Sequence, residues 1–202
     1  MNYLTIYPTS IDEKAIAKAV ETLRDGGIVI YPTDTVYALG CDALNNRAIE
    51  RLCEFKGINP TKQHLSVVCS DISQASEYAR IDNKAFSLLK RNLPGPYTFI
   101  LPASPKLPKV FKGRRTVGIR VPDNAIARRL SEALGNPILS ASVRIDDNCP
   151  EEATNPESLE MNYANVADLI IDGGEGSTRL SAVVDCTDSS DPVIIREGNP
   201  LK

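Results

Sequence analysis

Between Ser10 and Pro32 the chain passes from helical to strand patterning within a few residues, and few architectures accept that change. Ser10 followed by Glu13 has capping-box spacing, Ile16, Ala19, Val20 and Leu23 recur at helical intervals, and Gly26-Gly27 ends the run. Ile28-Val29-Ile30-Tyr31 follows at once and stops at Pro32. A short β-branched run of this kind reads as a buried strand that delivers the next residues to its carboxyl end. The alternation continues. The pattern predicts a helix from about Asn45 to Lys56, a strand over Leu65–Cys69, and a helix from Asp82 carrying Phe86, Leu88 and Leu89 toward Pro94-Gly95-Pro96. Strands over Tyr97–Leu101 and Val117–Val121, a helix over Asn124–Leu134 closing at Gly135, and a strand over Ile138–Ser142 come next. Past Ile145 the sequence is polar and rich in Pro and Asn, which predicts a surface excursion. Asp168–Asp172, Ala182–Asp185 and Val193–Arg196 complete the strands, with Gly173-Gly174 turning between the first two. Strands alternate with helices early and cluster late. The expected fold is therefore α/β (α+β), a twisted, mixed, open sheet flanked by helices.

At 202 residues and 42% apolar side chains, the chain suits one sizeable core and a single domain over 1–202, with its body at about 10–198. No apolar run approaches the roughly 20 residues of a membrane span, and Met1-Asn2-Tyr3-Leu4-Thr5 has no secretory pattern, so the expected location is the cytoplasm. The five cysteines are odd in number, scattered and never spaced Cys-x-x-Cys, which argues for reduced thiols and against a zinc site. Net charge is only -3, but it is segregated along the chain. Lys106 to Arg129 holds Lys106, Lys109, Lys112, Arg114, Arg115, Arg120, Arg128 and Arg129 against Asp123 alone, whereas Ile145 to Ser177 holds nine acids and no Lys or Arg. Two readings stay open: a positive surface suited to phosphates, and two solvated faces of opposite sign.

The stretch Tyr31 to Cys41 ends a strand in hydroxyls, a carboxylate and a phenol, at the place where open α/β sheets hold ligands. Thr33, Thr35 and Tyr37 are candidates to hydrogen-bond a small polar substrate, and a turn with capping hydroxyls is the plainer alternative. Pro32-Thr33-Asp34-Thr35-Val36-Tyr37-Ala38-Leu39-Gly40-Cys41 resembles the signature opening of the YrdC-like proteins, which include the threonylcarbamoyl-AMP synthases and the YciO-type members. Gly95-Pro96-Tyr97-Thr98, Thr116 to Pro122, Ser140-Ala141-Ser142, Ser181 to Asp185 and Ile195 to Gly198 resemble the family's later blocks, in order.

The resemblance implies a YrdC/RibB-like fold with a concave, basic cavity. It implies a reaction of L-threonine, bicarbonate and ATP, with Mg²⁺, that yields threonylcarbamoyl-AMP and pyrophosphate for tRNA modification. Carried over by position, Thr33, Thr35, Tyr37, Arg120 and Ser181 face threonine, and Lys56, Thr116, Ser140, Ser142 and Arg196 face the nucleotide. Lys56 and Arg120 are the expected catalytic cations, since a guanidinium fork grips a carboxylate or phosphate with two bonds and an ammonium supplies a point charge. No protein-bound metal is expected. Where the synthases carry Lys-x-Arg and Ser-x-Asn, this chain reads Lys56-Gly57-Ile58 and Ser142-Val143-Arg144, which resembles the YciO-type branch. Arg144 is a candidate to restore the lost positive charge. His64, in a polar loop, reads as a solvated side chain. A second function class stays open, the holding of double-stranded RNA or structured tRNA by the cavity and the Lys106 to Arg129 run without chemistry, and a third is a cavity that binds a nucleotide (ATP or AMP) or phosphate for regulation.

Overall fold

The computed structural model describes residues 2–60, 62–108, 111 and 115–202. Ten strands among them form one sheet: β1 (Asn2–Thr5), β2 (Val29–Tyr31), β3 (Ala38–Asp42), β4 (Ser66–Val68), β5 (Tyr97–Pro102), β6 (Thr116–Arg120), β7 (Ile138–Ser142), β8 (Leu169–Asp172), β9 (Ala182–Asp185) and β10 (Val193–Arg196). Their spatial order is β1-β8-β2-β3-β7-β4-β6-β5-β9-β10. Parallel pairs (β1 with β8, β2 with β8, β4 with β6, β5 with β9) mix with antiparallel ones, as expected of a sheet built from both crossovers and hairpins.

The period of two along the central strands decides which helix covers which face. Val29 and Tyr31 of β2, with Leu169 and Ile171 of β8, pack under α1 (Glu13–Arg24) and α5 (Ala125–Leu134). Ile28, Ile30 and Ile170 face the other way, into the larger core with α2 (Asn46–Lys56), α3 (Ile72–Tyr78), α4 (Asn83–Asn92) and α6 (Pro156–Tyr163). Ile16, Ala19, Val20 and Leu23 of α1 are all buried, and each large side chain among them contributes roughly 1.5–3 kcal/mol. Among the described residues all six α-helices start on an Asp or Asn whose side chain accepts a backbone N–H of the first turn: Asp12, Asn45, Asp71, Asp82, Asn124 and Asn155.

Several expectations need correction. Ser10 does not cap α1; Asp12 does, because it stands immediately before the first helical residue and accepts from Lys14 N (2.8 Å) and Ala15 N (3.4 Å). Glu13, the supposed second half of the capping box, pairs instead with Arg129. β1, β3 and α3 were not anticipated. β3 was hidden inside the Thr33 to Cys41 stretch, whose polar start masks an apolar second half. The polar excursion after Ile145 contains a 3-10 turn at Pro150–Ala153 and then α6, whose Leu159 and Tyr163 are buried. No helix among the described residues is long and apolar enough to cross a membrane.

Candidate functional site

From β7 across β4 and β6 toward β5 and the residue before β9, small or hydroxylated residues recur at neighbouring positions of one face of the sheet. Ser140 pairs with Ser66, Ser66 with Gly118, and Gly118 with Ile100, two residues past Thr98. A Cβ on Gly118 would stand 2.5 Å from Ser66 Oγ and 3.1 Å from Thr98 Cγ2, so only glycine leaves that space open. The result is a cavity of about 360 Å³ with hydroxyls from Ser66, Thr98, Ser140, Ser142 and Ser181 on its walls. Three cations reach it from different elements: Lys56 at the end of α2, Arg120 at the end of β6 and Arg196 at the end of β10. Gly57, in the left-handed region at φ 62°, stops α2 at Lys56 and turns the chain so that Ile58 also lines the cavity.

Each cation is oriented. Arg120 Nη2 donates to Asp34 Oδ1 (3.1 Å) and Thr35 Oγ1 (2.9 Å), and its Nε is buried with no partner among the described residues. The partner that a strand-buried guanidinium requires is therefore Asp34, both side chains being under a tenth exposed. Arg196 Nε donates to Ser181 O (2.9 Å) and its Nη2 to Ser181 Oγ (3.1 Å), while Ser181 Oγ also meets Thr98 Oγ1 at 2.9 Å. Burial, and then the charge of Arg120, pull the Arg196 guanidinium below its ordinary value. Lys56 Nζ donates to Ser142 O (2.7 Å), and burial followed by the charge of Arg144 lowers its pKa. Two guanidinium groups and several hydroxyls facing one hollow have the donor chemistry that suits an oxyanion.

Of the residues singled out in the sequence, Lys56, Arg120, Ser140, Ser142, Ser181 and Arg196 line this cavity together. Thr35 touches it through Arg120. Thr33, Tyr37, Thr116 and Arg144 do not line it. Thr33 Oγ1 is spent on Val36 O (2.8 Å), Thr35 N and Thr35 Oγ1, so it braces the loop before β3. The Tyr37 phenol donates to Gly174 O (2.6 Å) and accepts from Gly173 N (3.1 Å), and burial pushes it up to about 12. Its observed role is to fasten the turn after β8. Thr116 Oγ1 lies 3.0 Å from Nδ1 of His64, and His64 is a part-buried lining residue rather than the solvated loop side chain expected. Arg144 lines a neighbouring hollow of about 590 Å³ with Phe55, Asp146, Glu152 and Tyr163, and Lys56 is the side chain the two hollows share. Arg144 thus approaches Lys56 from the side away from Arg120's cavity.

Asp34, Ser66 and Thr98 were not singled out by sequence reasoning for the site. Asp34 lay within the quoted motif, but nothing in a motif says which of its members faces a buried arginine 86 residues away. The described members of the basic run go to separate partners. Lys106 pairs with Glu77, Arg129 with Glu13 and Glu132, Arg128 with Asp123 at 3.7 Å, and Arg120 is in the cavity; Lys109, Lys112 and Arg114 lie outside the described residues. Among the described residues no three His, Cys, Asp or Glu side chains are grouped to hold a metal ion.

Fold and cavity define a class: an α/β protein whose mixed sheet gathers Lys56, Arg120 and Arg196 around one hydroxyl-lined hollow from elements far apart in sequence. The chain belongs to the Sua5/YciO/YrdC family, whose model, described as "Telomere recombination", matches residues 21–198. It is similar to YciO of Escherichia coli, 40% identical over 198 residues that span 97% of this chain and 95% of the relative. The crystal structure of E. coli YciO superposes with a TM-score of 0.89 at 39% identity, covering 98% and 96% of the two chains. A threonylcarbamoyl-AMP synthase of Bacillus subtilis is 35% identical over 96% of this chain, which spans 56% of that protein. The structure of Pyrococcus abyssi Sua5 complexed with L-threonine matches at a TM-score of 0.84 and 32% identity, over 97% of this chain and 57% of the other.

Proposed function

We propose that this chain forms an acyl-adenylate of the threonylcarbamoyl-AMP type from L-threonine, bicarbonate and ATP, releasing pyrophosphate. The observation that carries the proposal is the convergence of Arg120, Arg196 and Lys56 on one hydroxyl-lined cavity. The threonine carboxylate takes the Arg120 and Arg196 end, beside Ser181. The nucleotide phosphates take the Lys56 end, beside Ser140 and Ser142. The threonine amine adds to the carbon of bicarbonate, an amine proton joins the departing hydroxide as water, and a carbamate oxygen then attacks the α-phosphorus. The bond from that phosphorus to the bridging oxygen breaks, and pyrophosphate leaves with the electron pair. The protein's contribution is placement of the two reactants and fixed positive charge where negative charge grows. Mg²⁺, if carried in with ATP, would supply further charge neutralisation at the phosphates beside Lys56, Ser140 and Ser142. Ile58 offers no charge-assisted bond, so turnover is expected to be slower than in a synthase with arginine at that place.

Purified protein supplied with ATP, bicarbonate and Mg²⁺ should release pyrophosphate only when L-threonine is added. Arg196→Met should cut that rate by about a hundredfold or more, the scale of a lost charge-assisted contact in the transition state. Release that is absent, or indifferent to threonine, defeats the proposal.

A further inference from the structure

Behind the Arg120 end of the cavity stands a fixed negative charge, that of Asp34, which does not line the cavity itself but pairs with Arg120, which does. Asp34, in the loop between β2 and β3, has both carboxylate oxygens committed: Oδ1 accepts from Arg120 Nη2 at 3.1 Å, and Oδ2 accepts from the Asp123 backbone N–H at 2.9 Å, ahead of α5. The first bond holds the guanidinium along one edge, and the second fixes the carboxylate to the β6–α5 turn. Arg196 has no carboxylate partner among the described residues; its bonds go to the carbonyl and hydroxyl of Ser181. Two guanidinium charges and one carboxylate leave this end with one positive charge. A single carboxylate balances that charge, whereas a phosphate or pyrophosphate overfills it and meets, one guanidinium away, the buried charge of Asp34. A receptor meant for phosphate gains nothing from an acid in this position.

We propose that Asp34 is a specificity-determining and positioning residue: it orients Arg120 and, by its charge, reserves the Arg120 end for a monocarboxylate while turning phosphates away to the Lys56 end. This rests on the assignment of the Arg120 end to the amino acid. It extends that assignment by stating why the cavity's other ligand, the more highly charged of the two, does not occupy both ends.

The test is calorimetric titration of the intact chain with inorganic pyrophosphate and with L-threonine, singly and in competition. It compares wild type, Asp34→Asn, which keeps shape and loses charge, and Asp34→Glu, which keeps charge. Asp34→Asn should bind pyrophosphate at least about tenfold more tightly than wild type, the effect of deleting one like charge at close range. Pyrophosphate should displace threonine from Asp34→Asn but leave it bound in wild type and in Asp34→Glu. Unchanged or weaker pyrophosphate binding by Asp34→Asn overturns the proposal, and so does equal tightening in the Asn and Glu variants, which would mark simple loosening of the loop. If Asp34→Asn does not fold, Asp34→Ser carries the same expectation. A charge-dependent gain in pyrophosphate affinity without threonine-dependent turnover would remove the synthase reading and leave the charge filter standing.

Discussion

Arg120 is the residue on which the site turns, and its burial is expensive unless the charge is matched. Deleting one member of a buried ion pair typically costs about 3–5 kcal/mol, because the other charge is stranded. Arg120→Ala therefore mixes loss of ligand contact with loss of stability. Lys56 offers a cleaner probe. Burial and the like charge of Arg144 hold its ammonium below the ordinary lysine value of 10.5. Between that lowered value and 10.5 the unfolded chain keeps the proton that the folded chain has released. Unfolding takes up a proton there, so folding stability rises with pH in this window, while anion binding, which needs the charged ammonium, falls. Arg144→Ala should move both transitions toward higher pH, and Lys56→Gln should flatten the binding profile. Pyrophosphate affinity measured across pH checks this; coincident wild-type and Arg144→Ala profiles would contradict it. At this scale the sequence was legible in part. That Arg120 needed a partner followed from its apolar neighbours Ile119 and Val121, but that the partner is Asp34, and that the Tyr37 phenol is spent on Gly173 and Gly174, depends on how the loops meet.

Elements create the space that residues then charge. The hollow exists because β7, β4 and β6 carry Ser140, Ser66 and Gly118 in register, with Gly118 at the point where any side chain would meet Ser66 and Thr98. Gly118→Val should fill this space, and the rise in Tm on adding pyrophosphate should vanish; a ligand-induced shift equal to wild type would show that the cavity is not the binding site. The helices and strands with long apolar periods, α1, α2, α5, β5 and β8, were readable because one pattern repeats over a full element. β3 was not, since Ala38-Leu39-Gly40-Cys41 is short, contains a glycine and follows a polar motif. α3 and α6 were missed for a related reason: only Ala75 and Tyr78 of the first, and Pro156, Leu159 and Tyr163 of the second, are buried, too few to set a period.

For the whole molecule, the informative fact is topological. Lys56, Arg120, Ser181 and Arg196 come from four regions of the chain and are united by the strand order β7-β4-β6-β5-β9-β10. Periodicity cannot reveal such an order, because it depends on which strands pair; the family resemblance supplied what pattern alone could not. The segregation of charge along the chain is real in sequence, yet among the described residues folding sends Lys106, Arg128 and Arg129 to separate acidic partners.

If one oxyanion is held jointly by the two guanidinium groups, their contributions to its binding must be coupled. A double-mutant cycle with Arg120→Lys and Arg196→Lys, read as L-threonine affinity by calorimetry, measures that coupling. Losses in the two single variants that are clearly non-additive in the double variant are the predicted result, and losses that simply add would contradict a shared grip.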